Sequence, residues 1–214
     1  MGLYPIPLRH GMTIGELALL YNDRFLEKQA ELTVIRARGW ERAMWFDETG
    51  LPWIRPSPNL PDLAAATVYP GQVLCEGTNL SEGRGTRLPF QQFGAPWIEE
   101  ISLEDRLERL ALPGIRFRGT RFQPGFSKFA GVECNGIRLL VSDRDIYEPL
   151  AAAIHILAAV LELFPGRLEF FEQYFDRVLG TDQVRLSLLR GLSASEIVGG
   201  QEAVSYTHLT LPTN

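Results

Sequence analysis

The stretch Glu76-Gly-Thr-Asn79-Leu-Ser81-Glu82-Gly-Arg84-Gly-Thr86 gathers two carboxylates, an amide, a guanidinium, hydroxyls and three glycines within one short span. Glycosidases use two carboxyl groups at a controlled separation, one as acid and the other as base or nucleophile. If Glu76 ends a strand and Glu82 lies in the turn that follows, both face one cleft. The same residues also describe a structural turn, in which Asn79 and Ser81 bond the backbone, Glu76 pairs with Arg84 and Glu82 is solvated. On the residues alone both readings stand.

Other chemistries fail on spacing. A phosphate loop needs Lys and then Ser or Thr after its last glycine, whereas Gly83 is followed by Arg84-Gly85-Thr86. A dinucleotide fingerprint built on Gly83-Arg-Gly85 would need a third glycine at Leu88. A nucleophile elbow centred on Ser81 would need glycine at Asn79. Asp143-Arg-Asp145 has no further ligand cluster for a divalent ion. Cys75 and Cys134 fit no metal or redox spacing and read as buried thiols, with a disulfide between them left open. His10, on a loop just before a helix, is a candidate for ligand binding or catalysis, and His155, inside an apolar run, reads as a hydrogen-bonded core residue.

The elements that would position these residues can be read in turn. Thr13-Ile-Gly-Glu16 is a capping box, which predicts a helix to about Arg24. ELTVIRAR alternates as a strand. Gly39 to Pro61 holds three of the four tryptophans and four prolines, an ordered aromatic loop suited to walling a site, with Trp53 as its candidate contact. QVLCEG reads as a short strand after Tyr69-Pro70-Gly71, and Ser102-Leu-Glu-Asp105 as a capping box opening a helix to about Leu110. IRFRGTRFQP reads as a strand, and GVECNGIRLLVSD as a hairpin turning on Asn135-Gly136. A buried helix spans Pro149 to Phe164; an aromatic segment with Phe170, Phe171, Tyr174 and Phe175 follows, then two short helices around 184–189 and 193–198. Strands and helices are mixed, giving an α/β (α+β, mixed-sheet) class with a junction near Tyr69.

A chain of 214 residues, 45% hydrophobic and 22% charged, can bury one core and part of another. The net charge of −5, with basic residues dispersed along the chain, argues against a nucleic-acid partner. The run Pro149 to Phe164 is too short for a bilayer and is interrupted by His155 and Glu162, so no membrane span is expected. The start, MGLYPIPLRHG, shows no export signal. The final run VSYTHLTLPTN, 204–214, resembles adapter-derived translation at the ends of metagenomic reading frames and is set aside together with His208.

Four phrases, GLYPIPLRHGMTIGELA, FDETGLPWIRPSPNLP, YPGQVLCEGTNLSEGRGT and PFQQFGAPWI, resemble hallmark runs of the NamZ family of exo-β-N-acetylmuramidases, once known only as a domain of unknown function. The resemblance extends from Gly2 to about Gln201. It implies a bacterial, periplasmic or secreted enzyme of cell-wall turnover that releases N-acetylmuramic acid from the non-reducing end of peptidoglycan fragments. It implies a Rossmann-like N-terminal domain and a smaller α/β C-terminal domain with the site in the cleft between them, and no metal or nucleotide cofactor. On this reading residues 1–68 are the end of the N-terminal domain and 69–203 the C-terminal domain. Family members are roughly twice as long, and their catalytic glutamate lies in a motif of the Gly-Pro-Glu-His-Gly type that does not occur here. The resemblance therefore places that glutamate outside this chain, in a missing N-terminal part, and leaves the fragment without activity of its own.

A muramic acid sugar offers hydroxyls, an acetamido group and a lactyl carboxylate. Under the resemblance Asn79 and Ser81 would meet hydroxyl or acetamido groups, and Arg84 the carboxylate. Glu76 would orient a sugar hydroxyl or act as the second carboxyl, Glu82 would belong to the same substrate-binding stretch, and His10 and Trp53 would contribute from across the cleft. A non-catalytic peptidoglycan-binding module is the alternative function.

Overall fold

The computed structural model describes Ile6 and residues 11–206, the last six through their backbone alone. Two compact units emerge, residues 7–54 on one hand and residues 1–6 with 55–214 on the other. Together they make a mixed α/β chain with one small antiparallel sheet.

The smaller unit holds helix α1, Ile14–Arg24. Its start is the expected capping box: the Glu16 N–H donates to Thr13 Oγ1 at 3.1 Å and the Thr13 N–H to Glu16 Oε2 at 2.8 Å. The amide of Asn22 brackets Ala30, closing the turn that follows the helix. The aromatic loop is ordered by a 3₁₀ turn, Phe46–Thr49, and by the Phe46 and Trp53 rings meeting edge to face at 5.1 Å. The strand expected at ELTVIRAR does not form, and these residues are irregular and exposed. A strand needs a neighbour for its N–H and C=O groups, and the described residues of this unit supply none. No described side chain of the unit is fully buried.

The larger unit opens with helix α2, Leu63–Gln72, capped by Asp62 through the Ala65 N–H. Pro70 falls in its last turn, where the chain tightens into a 3₁₀ segment, Val73–Gly77. QVLCEG is thus helical rather than extended. A short apolar run does not reveal its period, and burial of Val73, Leu74 and Cys75 decides the matter.

Strands β1 (Gln92–Ala95), β2 (Ile115–Phe122) and β3 (Cys134–Val141) form a sheet in the order β1-β3-β2, antiparallel throughout. The hairpin expected to turn on Asn135-Gly136 is absent, because both residues lie inside β3, opposite Ala95 and Gly94. Gly136 serves close approach instead: a Cβ there would stand 1.9 Å from the Phe93 carbonyl oxygen. The β2–β3 connection is a longer loop that folds back over the Glu76–Thr86 stretch, with the Gly125 N–H donating to the Gly85 carbonyl at 2.9 Å.

Helix α3, Glu100–Glu108, is capped by Glu99, whose carboxylate accepts from the Ile101 and Ser102 N–H groups, not by the expected Ser102 box. Its glutamates recur every four residues and so share one face. Glu104 and Glu108 accept from the Gly119 and Phe117 N–H groups of edge strand β2, while Glu100, Glu104 and Glu108 pair with Arg121, Arg118 and Arg116. The helix thereby covers the strand's exposed edge.

The core is organised by helix α4, Pro149–Leu163, whose Ile154, Ile156, Leu157 and Val160 are buried with Phe93, Phe117 and Ile137 of the sheet. Full burial of each such side chain contributes roughly 1.5–3 kcal/mol. Gly71 lets α2 close on the start of α4, since a Cβ there would meet the Pro149 carbonyl at 2.0 Å. Helices α5 (Glu172–Leu179), α6 (Gln183–Leu189) and α7 (Ala194–Tyr206) complete the unit. No described helix is long and apolar enough to cross a membrane.

Candidate functional site

Glu76 closes the 3₁₀ segment after α2, and the chain then reverses through Gly83 and Gly85, both at positive φ (78° and 79°). A Cβ on Gly85 would stand 2.6 Å from the Phe126 carbonyl oxygen, so glycine is required by space as well as by dihedral. This folds Arg84 back over the segment it followed. Its Nη2 donates to Glu76 Oε1 at 2.5 Å and its Nε lies 3.2 Å from Glu82 Oε1, so one guanidinium spans both carboxylates. The Phe90 ring lies beneath, 5.1 Å from the guanidinium carbon. Burial opposes the Arg84 charge, but the hydrogen bond and charge of Glu76, with the charge of Glu82, hold its pKa above the ordinary arginine value. Arg84 keeps 29% of its side chain exposed, and among the described residues nothing hydrogen-bonds to its Nη1.

Two further groups come from distant segments. Tyr174, on α5, donates its hydroxyl to Glu76 Oε2 at 2.5 Å, so both oxygens of Glu76 accept. That bond first, then burial, pushes the tyrosine pKa up to about 12. Lys128, in the β2–β3 loop, places its ammonium 3.1 Å from Glu82 Oε2 and within bonding distance of three backbone carbonyls of residues 75–80. Glu82 is not solvated, as the structural-turn alternative supposed: only 3% of its side chain is exposed. A buried carboxylate needs partners, and Arg84 and Lys128 supply them.

Ser81 is buried and Asn79 half-buried, and both side chains bond to backbone. The Asn79 amide donates to the Arg167 carbonyl at 2.9 Å and accepts from the Glu169 N–H at 3.0 Å, tying the loop to the segment before α5. The buried Ser81 hydroxyl accepts from the Gly83 N–H at 3.2 Å, while its backbone pairs with Gly94 of β1. Trp53 belongs to the smaller unit, against Phe46. His10 lies outside the described residues.

Sequence reasoning gathers Glu76, Glu82 and Arg84, and the structure brings them together. It misses Tyr174 and Lys128, although one signal for the latter was present. Lys128 is one of only two lysines in a chain whose other basic residues are arginine.

The remaining candidates stand apart. His155, on α4, has its pKa lowered by burial and by Arg106. It lines a cavity of about 670 Å³ that includes no residue of the Glu76–Thr86 loop. Cys75 and Cys134 are separate, buried thiols, with burial pushing their pKa values up to about 12 and about 11. Asp143 closes a turn by accepting from the Asp145 N–H at 3.0 Å. Among the described residues no three His, Cys, Asp or Glu side chains converge as metal ligands would.

Comparison with known proteins gives this site its context. Residues 67–205 match the family described as exo-beta-N-acetylmuramidase NamZ, C-terminal, and residues 1–64 its N-terminal counterpart. The chain is 45% identical over 203 residues to the peptidoglycan beta-N-acetylmuramidase NamZ of Bacillus subtilis (strain 168), covering 94% of this chain and 49% of that protein. It therefore spans about half the length of that curated relative. Crystal structures of two DUF1343 family proteins from Bacteroides fragilis superpose on it, one with a TM-score of 0.81 at 29% identity over 96% of this chain and 57% of that one. The other gives 0.67 at 32% identity over 99% and 58%. A family match over both parts of the chain, with the glycine-supported loop lying inside the C-terminal one, leads to one conclusion: this chain belongs to the NamZ family.

Proposed function

We propose that this chain is the C-terminal portion of a peptidoglycan-processing glycosidase that releases N-acetylmuramic acid from the non-reducing end of cell-wall fragments during their recycling. Residues 1–68 are assigned to the end of its N-terminal domain and 69–203 to its C-terminal domain. The principal catalytic glutamate belongs to the remainder of the enzyme, so the chain alone binds sugar without hydrolysing it. The smaller unit, which has no fully buried side chain among its described residues, has the character of a segment that belongs to a larger core.

The observation that carries the reading, within a family of muramidases, is Arg84. Its guanidinium is held in place by Glu76 and Glu82, while 29% of its side chain stays exposed and no described residue hydrogen-bonds to Nη1, which suits capture of the lactyl carboxylate. Glu76, accepting on both oxygens, orients Arg84 and receives a sugar hydroxyl in competition with Tyr174. Asn79 and Ser81 shape the loop, and any contact they make with sugar requires their present bonds to open. No metal or nucleotide takes part in this reading.

N-acetylglucosamine differs from N-acetylmuramic acid by lacking the lactyl ether, which makes it the control. In the full-length gene product Arg84→Ala should raise KM for N-acetylmuramic acid substrates by about 10- to 150-fold, the equivalent of one charge-assisted hydrogen bond of about 1.5–3 kcal/mol. Binding of N-acetylglucosamine should stay as it was. An unchanged KM would remove Arg84 from the site. Sugar binding without turnover by the full-length product would favour a non-catalytic peptidoglycan-binding module instead.

A further inference from the structure

The ammonium group of a lysine has three protons to donate and no preferred plane, so it can stand where a potassium ion would, inside a ring of oxygens. The Lys128 ammonium sits in such a ring. The Cys75 carbonyl lies at 2.7 Å, the Leu80 carbonyl at 2.8 Å, Glu82 Oε2 at 3.1 Å and the Glu76 carbonyl at 3.3 Å. All four oxygens come from one stretch of chain, residues 75–82, and the cation arrives from a loop more than forty positions later. The Phe171 ring faces the same ammonium at 5.7 Å.

The backbone that delivers it is strained for the purpose. Ser127 and Phe129, on either side of Lys128, both have positive φ, 72° and 57°, although neither is glycine. Such residues persist only where surrounding structure enforces them, and they cluster at functional sites. The choice of residue points the same way. In a chain that otherwise uses arginine almost throughout, the compact ammonium appears where four oxygens surround one point rather than lie in the plane a guanidinium prefers.

We propose that Lys128 is a tethered monovalent cation: its ammonium fills an oxygen cage under the loop and so fixes the positions of Glu76, Glu82 and Arg84. Lys128 is on this view a positioning residue, and its effect on sugar binding rests on the reading of that loop as a muramic acid site. Without the cation, three carbonyls and a buried carboxylate face one another, and the loop reopens.

The test uses the intact 214-residue chain. Lys128→Ala should lower Tm and weaken N-acetylmuramic acid binding by about 10-fold or more, as expected when site groups shift by about an ångström. Ammonium or potassium chloride should restore both, with Tm rising with the logarithm of cation concentration. Tetramethylammonium at equal ionic strength should restore neither. Lys128→Met fills the cage with an uncharged chain, so its losses should not respond to any cation. Rescue of Lys128→Met equal to that of Lys128→Ala, or no cation-specific rescue of the latter, overturns the proposal, as does recovery of Tm without recovery of sugar affinity.

If Lys128→Ala does not fold, the wild-type chain decides. With ¹⁵N-lysine there are only two ammonium groups, and the exposed Lys28 is the internal control. A caged Lys128 gives a slowly exchanging NH₃⁺ signal at neutral pH that Lys28 does not, and its absence refutes the cage. Failure of the wild-type chain to bind N-acetylmuramic acid counts against the proposed function alone, since the cation-dependent Tm and the Lys128 signal do not depend on sugar.

Discussion

Replacing Glu82 by Gln removes one charge and almost no volume, and its effect can be worked from the structure. The side chain is 3% exposed, while Arg84 and Lys128, its two partners, are 29% and 22% exposed. Breaking a fully buried ion pair costs about 3–5 kcal/mol because it strands a charge, whereas exposed pairs contribute at most about 1 kcal/mol. Here Arg84 keeps Glu76 and Lys128 keeps its carbonyls, so neither cation is stranded completely. The loss should therefore fall near 2–4 kcal/mol, below the fully buried limit and well above the surface one. For a chain of this size that corresponds to a Tm lower by about 4–16 °C. Urea unfolding followed at 222 nm reads chiefly the larger unit, which holds every described α-helix except α1. A double-mutant cycle with Lys128→Met should give a coupling of at least about 0.5 kcal/mol. A Glu82→Gln loss below about 0.5 kcal/mol, the range of ordinary surface substitutions, would refute the view that the loop is built on buried charge.

Gly136→Ala should prevent β1 from pairing with β3, because its Cβ would collide with the Phe93 carbonyl at 1.9 Å. A loss of about 1–3 kcal/mol or more is expected, and a stable variant with native amide protection of β1 would contradict the register. Glu100 and Glu108 of α3 set an acid limit. Arg116 and the Phe117 N–H lower the pKa of Glu108, and backbone and Arg121 hydrogen bonds lower that of Glu100. Their stabilisation is present above the unfolded carboxylate range, near 4.3, and is lost as pH falls through the lower folded values. Hydrogen exchange at the Phe117 N–H, which Glu108 covers, should accelerate there relative to buried sheet amides. Equal exchange at all pH values would show that the helix does not guard the edge.

Local rules account for what was legible in the sequence. The Thr13–Glu16 box, the alternation of Ile115 and Phe117, and the apolar run of α4 are signals within one element, and the structure contains each of them. The failures are tertiary. Asn135-Gly136 has the composition of a turn, but its glycine answers to a neighbouring strand. QVLCEG has no readable period, and burial makes it helical. At the site, Glu76 with Arg84 can be read from proximity in sequence. Tyr174 joins them across 98 positions and Lys128 joins Glu82 across 46, distances over which no local pattern speaks.

The two readings of the Glu76–Thr86 stretch, structural turn and sugar site, are compatible once these remote groups are counted. Glu76, Glu82, Arg84 and Lys128 carry two negative and two positive charges, so the loop is neutral as a whole. Lys128 and Glu82 balance each other beneath it, which leaves Arg84 facing Glu76. A bare Glu76–Arg84 pair would compete with an incoming carboxylate for the same guanidinium. On the proposed reading Tyr174 weakens that competition by occupying the second oxygen of Glu76, which leaves Nη1, to which no described residue hydrogen-bonds, for the incoming carboxylate. The side-chain bonds of Asn79 and Ser81 to backbone tie the loop down, and on the same reading a tied loop is what makes a single open nitrogen selective. On the proposed reading the structural bonds are thus the condition for binding rather than an alternative to it.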